Sequence, residues 1–182
     1  MFMKLETARL KLIDITLDDI NNIHYLHSLP DVDRYNTLGI PYEIKETEEI
    51  IKKRIEDSSG IVKKSFFWKI VEKDSEEFIG EAGLRLSADR FKLGEIFYNI
   101  LPEYWSKGYA TETAKRIIKF GFEELNLHKV EAGVATENIA SIKVLEKCGM
   151  TREGLRRKIL PIRGEWKDNY HYAIVEDDNR NY

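Results

Sequence analysis

A mixed α/β fold, with a mostly antiparallel sheet of six to seven strands flanked by helices, is the architecture this sequence predicts, on three observations. Strand-like runs separated by short polar turns fill the middle of the chain, and a β-α-β-α order follows them. The stretch after Gly108 places Ala110, Ala114, Ile117, Ile118, Phe122 and Leu125 along one apolar stripe of a helix, suited to covering a sheet. A chain of 182 residues with 42% hydrophobic content, including 3 Trp, 9 Tyr and 8 Phe, suffices for one domain over 1–182 with a sizeable core.

The elements follow in order. Ala8 to Ile15 alternates as an opening strand, and Thr16 with Asp19 three residues on has the form of a capping box for a helix running to about His27, before Pro30. Polar, turn-rich sequence covers Pro30 to Pro41. A second helix spans Ile44 to Asp57, with Ile51 and Ile55 four apart, and Ser58-Ser59-Gly60 ends it. Ser65 to Val71, Phe78 to Leu86 and Leu93 to Leu101 read as three strands joined by charged or polar turns. After the Gly108 helix come a short buried strand from Val130 to Ala135 and a helix from Ile139 to Lys147 closed by Gly149. Two last strands, Thr151 to Pro161 and Tyr170 to Val175, complete the chain.

Composition excludes several classes. A net charge of −3 with mixed signs gives no field to attract nucleic acid or acidic membranes, and Lys52-Lys53-Arg54 reads as a solvated helix face. No stretch approaches the roughly 20 apolar residues that cross a bilayer, and the start of the chain has no long apolar segment of a secretory signal, so a cytoplasmic protein is expected. The single Cys148 forms no internal disulfide and reads as a packed thiol. His24 and His27 lie one helical turn apart, but no Cys, His and acid cluster joins them, so no metal is predicted. A Gly-x-x-x-x-Gly-Lys-(Ser/Thr) loop is missing too, which disfavours a nucleotide-phosphate protein.

Chemistry concentrates in Trp105-Ser106-Lys107-Gly108-Tyr109-Ala110-Thr111-Glu112. A glycine opening an amphipathic helix behind a strand and a Pro102 break leaves unpaired N–H groups at a positive helix end, where a phosphate or pyrophosphate can settle. Downstream stands Glu137-Asn138-Ile139-Ala140-Ser141, running to Gly149-Met150. Together these segments resemble the GNAT superfamily of N-acetyltransferases, whose acetyl-CoA motif reads Arg/Gln-x-x-Gly-x-Gly/Ala and is followed by Asn-x-x-(Ala/Ser) and Gly-Phe. The variant Trp-(Gly/Ser)-Lys-Gly-Tyr-Ala-Thr-Glu is similar to the branch that acetylates the N-terminal residue of ribosomal proteins. Leu5-Glu6-Thr7-Ala8-Arg9-Leu10 and Glu153-Gly154, Arg157, Gly164, Asp168 and Tyr172 extend that resemblance over nearly the whole chain.

The resemblance implies a GNAT fold in which two parallel strands, here Glu95–Leu101 and Val130–Ala135, splay apart at a bulge to admit the pantetheine arm of acetyl-CoA. Backbone groups at Ile100 and Leu101 would hold that arm or polarise the thioester. The pyrophosphate would fall on amides of Ser106, Lys107, Gly108, Tyr109, Ala110 and Thr111. Lys107 reads equally as a solvated lysine, Asn138 as a pantetheine ligand or a helix N-cap or both, and Lys147 as a phosphate ligand or a dipole-matched C-terminal lysine.

Acetyl transfer to an amine requires a base for the ammonium and a proton source for the thiolate. The family's usual tyrosine, seven residues after the asparagine, is Leu145 here, and the branch resemblance puts Ser141 in its stead. Glu95, on the strand leading into the split, is the preferred base, set against an exposed strand glutamate paired with Lys92 or Lys69. Tyr98, Glu81, Asp168 and His171 are reserves. The expected partners are acetyl-CoA as co-substrate and an amine acceptor, a protein N-terminus or a small molecule, with the acceptor pocket built from about His27 to Ile44. A homodimer is allowed. The rival of another class is a non-catalytic acyl-CoA-binding sensor or interaction module.

Overall fold

The computed structural model describes residues 4–60 and 63–179. Its strands are β1 (Lys4–Glu6), β2 (Leu10–Asp14), β3 (Ser65–Glu72), β4 (Phe78–Leu86), β5 (Leu93–Ile100), β6 (Lys129–Ala135), β7 (Thr151–Ile162) and β8 (Glu165–Val175). Its helices are α1 (Ile20–Ser28), α2 (Pro30–Asp33), α3 (Ile44–Ser59), α4 (Tyr109–Glu123) and α5 (Ile139–Lys147). All eight strands form one sheet in the order β1-β2-β3-β4-β5-β6-β8-β7, antiparallel throughout except for β5 beside β6.

Local chemistry sets the helix ends. The Asp19 carboxylate accepts from the Thr16 N–H at 2.9 Å, and a single 3-10 turn at Leu17–Asp19 then leads into α1. Asn138 caps α5 by accepting from the Ser141 N–H at 3.1 Å, and Gly149, at φ +81°, ends it. The differences from expectation lie at the strands. Lys4–Glu6 adds an eighth strand too short to show periodicity, with only Leu5 buried. The opening strand shortens to Leu10–Asp14, and the last begins at Glu165 because it pairs along β7 as well as β6. Pro30–Asp33 forms a short helix inside the stretch read as turns.

Side-chain alternation gives each face of the sheet its own core. Phe66, Trp68, Ile70, Ile96 and Ile100 pack with Ala114, Ile117, Ile118, Phe120 and Phe122 of α4 and Leu145 of α5. Phe120, absent from the expected stripe, meets Phe66 and Trp68 edge-on at ring distances of 5.1 and 5.7 Å. On the other face Ile15, Ile23, Ile51 and Phe67 form a smaller cluster under α1 and α3, with Phe97 against it.

The β4–β5 contact is close at Gly80, where an added Cβ would stand 2.2 Å from the Asn99 backbone oxygen. Gly80→Ala is therefore expected to destabilise by about 1–3 kcal/mol, read as a lower midpoint of thermal unfolding. An unchanged midpoint would show that the two strands part freely there.

Candidate active site

β5 and β6 pair at only three positions, Leu93↔Lys129, Gly94↔Val130 and Glu95↔Glu131. Beyond them β5 continues on β4 to Ile100 and β6 on β8 to Ala135, so each keeps its outer ladder while the inner edges separate. The β4–β5 register is continuous through this region. The split therefore carries no bulge in that ladder; register shifts lie one ladder away on either side, between Ile70 and Val71 in the β3–β4 pair and at Arg152/Gly154 and Arg156/Leu160 in the β7–β8 pair. The separated edges, residues 96–100 and 132–135, line a cavity of about 940 Å³ that reaches the starts of α4 and α5 and the loop after α2.

One end of the cavity presents free backbone amides at the start of α4. The Trp105 indole N–H donates to the Ile100 backbone oxygen at 2.7 Å, tying the loop to the end of β5. Gly108 then caps α4 at φ +83°, and the first helical amide bond is Glu112 N–H to Gly108 O. Among the described residues no group accepts from the amides of Ser106 to Thr111. Glu112 secures this helix end. It accepts from Thr7 Oγ1 at 2.6 Å and from Arg9 N and Nε at 2.9 and 2.7 Å, while Arg9 Nη1 donates to Lys107 O at 3.0 Å. Burial opposes the Glu112 charge, but the Thr7 and Arg9 donors outweigh it and hold the carboxyl below its usual range.

Ser106, Gly108, Tyr109, Ala110, Thr111, Asn138, Ser141 and Lys147 all line the cavity, as does Ile100. Leu101 and the Lys107 side chain do not, although the Lys107 amide, the part of that residue weighted as the ligand, is among the free ones. Leu101 is buried with its amide donating to Ile79 O at 2.9 Å, and the Lys107 ammonium sits 5.0 Å over the Tyr104 ring. Lys143, unforeseen, joins Lys147 one turn away on α5.

Across the split the two sheet faces differ. On the α4–α5 face the Tyr98 hydroxyl lies 2.8 Å from Ser141 Oγ, which brings a reserve residue onto the predicted one. Burial pushes the Tyr98 hydroxyl well above its ordinary value, with the Ser141 bond offsetting only part, so Tyr98 stays protonated. On the α1–α3 face, β5 alternation presents Glu95, Phe97 and Asn99, all lining the cavity. Glu95 makes no ion pair with Lys92 or Lys69, and the latter pairs with Asp19 at 2.6 Å. Beneath Asn99 the fully buried Glu81 accepts from His27 Nε2 at 2.8 Å, from Asn99 Nδ2 at 3.1 Å and from Arg54. Burial disfavours the Glu81 charge, but Arg54 and His27 more than compensate, and its carboxyl lies far below the carboxylate range. Fully buried, held as a carboxylate by its donors and outside the cavity lining, Glu81 does not reach an acceptor amine, which removes it from the reserves.

The far wall is α2, with Asp31 and Val32, and the loop after it, Arg34 to Leu38, held by Arg163 of the β7–β8 turn donating to Asp33 at 3.1 Å and to Pro30 O at 3.1 Å. His24 bonds Thr47 at 2.8 Å, separate from His27. His171 bonds Glu131 at 3.0 Å and Asp168 accepts from the Lys158 N–H at 2.9 Å, both outside the cavity lining. Burial pushes the Cys148 thiol up to about 12, which disfavours its thiolate.

A sheet opened between two parallel strands, with free helix-end amides at one side of the gap and a hydroxyl pair inside it, is the arrangement the resemblance to acetyltransferases implies. The profile described as "Acetyltransferase (GNAT) domain" matches residues 9–151, and the chain belongs to this family. It is 34% identical over 178 residues to an uncharacterised N-acetyltransferase of Bacillus subtilis, YoaA, covering 97% of this chain and 98% of that one. It is 30% identical over 170 residues to the spermidine N(1)-acetyltransferase of Vibrio cholerae, covering 93% and 94%. The crystal structure of a ribosomal-protein-S5-alanine acetyltransferase from Vibrio fischeri superposes with a TM-score of 0.85 at 21% identity, over 98% of this chain and all of that one, a likeness of fold.

Sequence reasoning read Arg54 as part of a solvated helix face, whereas it is 6% exposed and paired with Glu81, and it missed Asn99, Lys143 and Arg163. Nothing local marked them, since each is defined by a partner on another element.

Proposed function

We propose that this enzyme moves the acetyl group of acetyl-CoA directly to a primary amine, on a small molecule such as a polyamine or on a protein N-terminus, without an acyl-enzyme. The observation that carries this is the open split, whose unpaired strand edges run from the free amides of Ser106 to Thr111 to the Tyr98–Ser141 pair. Acetyl-CoA, when bound, supplies a thioester-activated acetyl group and a thiol leaving group. The amides of residues 106–111 bind the pyrophosphate, and Lys143 and Lys147 add positive charge beside it. Backbone groups of residues 96–100 and 132–135 and the Asn138 amide hold the pantetheine arm. Ser141 Oγ donates its proton toward the leaving sulfur while Tyr98 Oη passes its own to Ser141, and water of the open cavity returns a proton to Tyr98, which ends protonated. Glu95 takes a proton from the acceptor ammonium. It lies three residues before Tyr98, about 10 Å along the strand, so the transfer runs through water. The spermidine relative supports polyamines as candidates, and the buried lone thiol suits a reducing cytoplasm.

The test is thiol release from acetyl-CoA against peptides with different N-termini, polyamines and amino sugars, with cofactor binding measured by calorimetry. Amine-dependent release is expected. Tight binding without release across the panel would instead identify an acyl-CoA sensor. In the active enzyme Glu95→Gln should lower kcat about tenfold or more with little change in acetyl-CoA affinity. A variant at wild-type rate would remove Glu95 as the base.

A further inference from the structure

Glu81 is 0% exposed, and a carboxylate accepts hydrogen bonds but donates none. Every group around it must therefore donate: the Arg54 guanidinium, the His27 Nε2–H and one N–H of the Asn99 side chain. This fixes which way the Asn99 amide is turned. Its nitrogen is committed to Glu81, so its Oδ1 points away from that carboxylate. Asn99 lines the cavity, and no group among the described residues donates to Oδ1. The residue follows Tyr98 in β5, on the opposite face of the sheet and one position along from the hydroxyl pair. An acceptor-only oxygen, held rigid by a buried ion pair, thus stands on the amine side of the split at the level where transfer is placed.

We propose that Asn99 Oδ1 receives an N–H of the acceptor and so selects primary amines over hydroxyls; this rests on the transfer reading above. A neutral primary amine has two N–H groups, so it can give one to Asn99 while its lone pair attacks. An alcohol has a single O–H, which the base must take, and nothing is left for Asn99. Such a site leaves its own polar atom unpaired with the wrong nucleophile, the situation in which polar recognition discriminates most strongly. Glu81, Arg54 and His27 act through Asn99 as positioning residues.

The experiment compares wild type, Asn99→Leu and Asn99→Thr with spermidine, an Ala-initiated peptide and glucosamine. It reads kcat/KM with acetyl-CoA and, by calorimetry, binding of the same amines to the CoA-loaded protein, where no chemistry occurs. Asn99→Leu is expected to lose about three- to tenfold in both readouts at unchanged CoA affinity, the size of one hydrogen bond between neutral groups. Asn99→Thr, whose hydroxyl both donates to Glu81 and accepts from the cavity, should recover part of the loss and guards against a variant that merely misfolds. If Asn99→Leu binds and turns over amines like wild type, or if CoA affinity falls in parallel, the assignment of Asn99 is wrong and the transferase reading stands. If wild type releases no CoA with any amine, both fall together.

Discussion

Ser141→Ala is expected to lower kcat for amine acetylation about a hundredfold while acetyl-CoA affinity holds within about twofold, the ordinary weight of a positioned proton donor. The substitution removes only Oγ. The backbone N–H of Ser141, which Asn138 accepts at 3.1 Å, survives, so the start of α5 and the cofactor wall stay in place. Tyr98→Phe removes the partner 2.8 Å away and should cost less, since solvent can reprotonate the serine. Because the two hydroxyls work as one donor, the double variant should resemble Ser141→Ala alone rather than the product of the two losses. Steady-state kinetics beside calorimetric cofactor affinities decide it. Multiplicative losses, or a Ser141→Ala enzyme at wild-type rate, would dissolve the pair as a proton source.

The largest stability effect is expected from Arg54→Leu. Arg54 is 6% exposed and serves the wholly buried Glu81; removing it strands a carboxylate with only His27 and Asn99 as donors. Breaking such a pair costs about 3–5 kcal/mol, which for a chain of this length lowers the unfolding midpoint by roughly 10–15 °C. The sign with pH follows from the depressed Glu81 carboxyl. Its stabilisation is fully present above the ordinary carboxylate range near pH 4 and is lost as pH falls below it. Denaturant titrations from pH 7 toward pH 3 should therefore show wild type losing stability faster than the variant, so that the gap narrows. A gap constant with pH would mean that the loss comes from packing of Arg54 against Phe67 and Phe97 and not from charge.

Much of the site was legible because its chemistry is local. Gly108 before an apolar stripe and Asn138 before a helix announce free amides and a cap through residues a few positions apart, and the structure places both on the cavity wall. The proposed catalytic arrangement was less so. Ser141 and Tyr98 were each singled out, but their contact joins β5 to α5 across 43 residues of sequence. Lys107 was placed at the phosphate end chiefly for its backbone amide, which is free there, while its side chain turns onto Tyr104. Glu112, in the same motif, proved to be the anchor for Thr7 and Arg9 more than a hundred residues earlier.

By itself the sequence determined the elements, the glycine-opened helix end and the family, because hydrogen bonding within a turn, side-chain periodicity and backbone freedom act over a few residues. Only the tertiary structure decided the eighth strand, the end of β5–β6 pairing at Glu95, the burial of Glu81 on Arg54 and the direction of the Asn99 carbonyl. These depend on which strands become neighbours and in what register. That choice follows from burying two cores on opposite faces of one sheet, a global condition that no short window of residues contains.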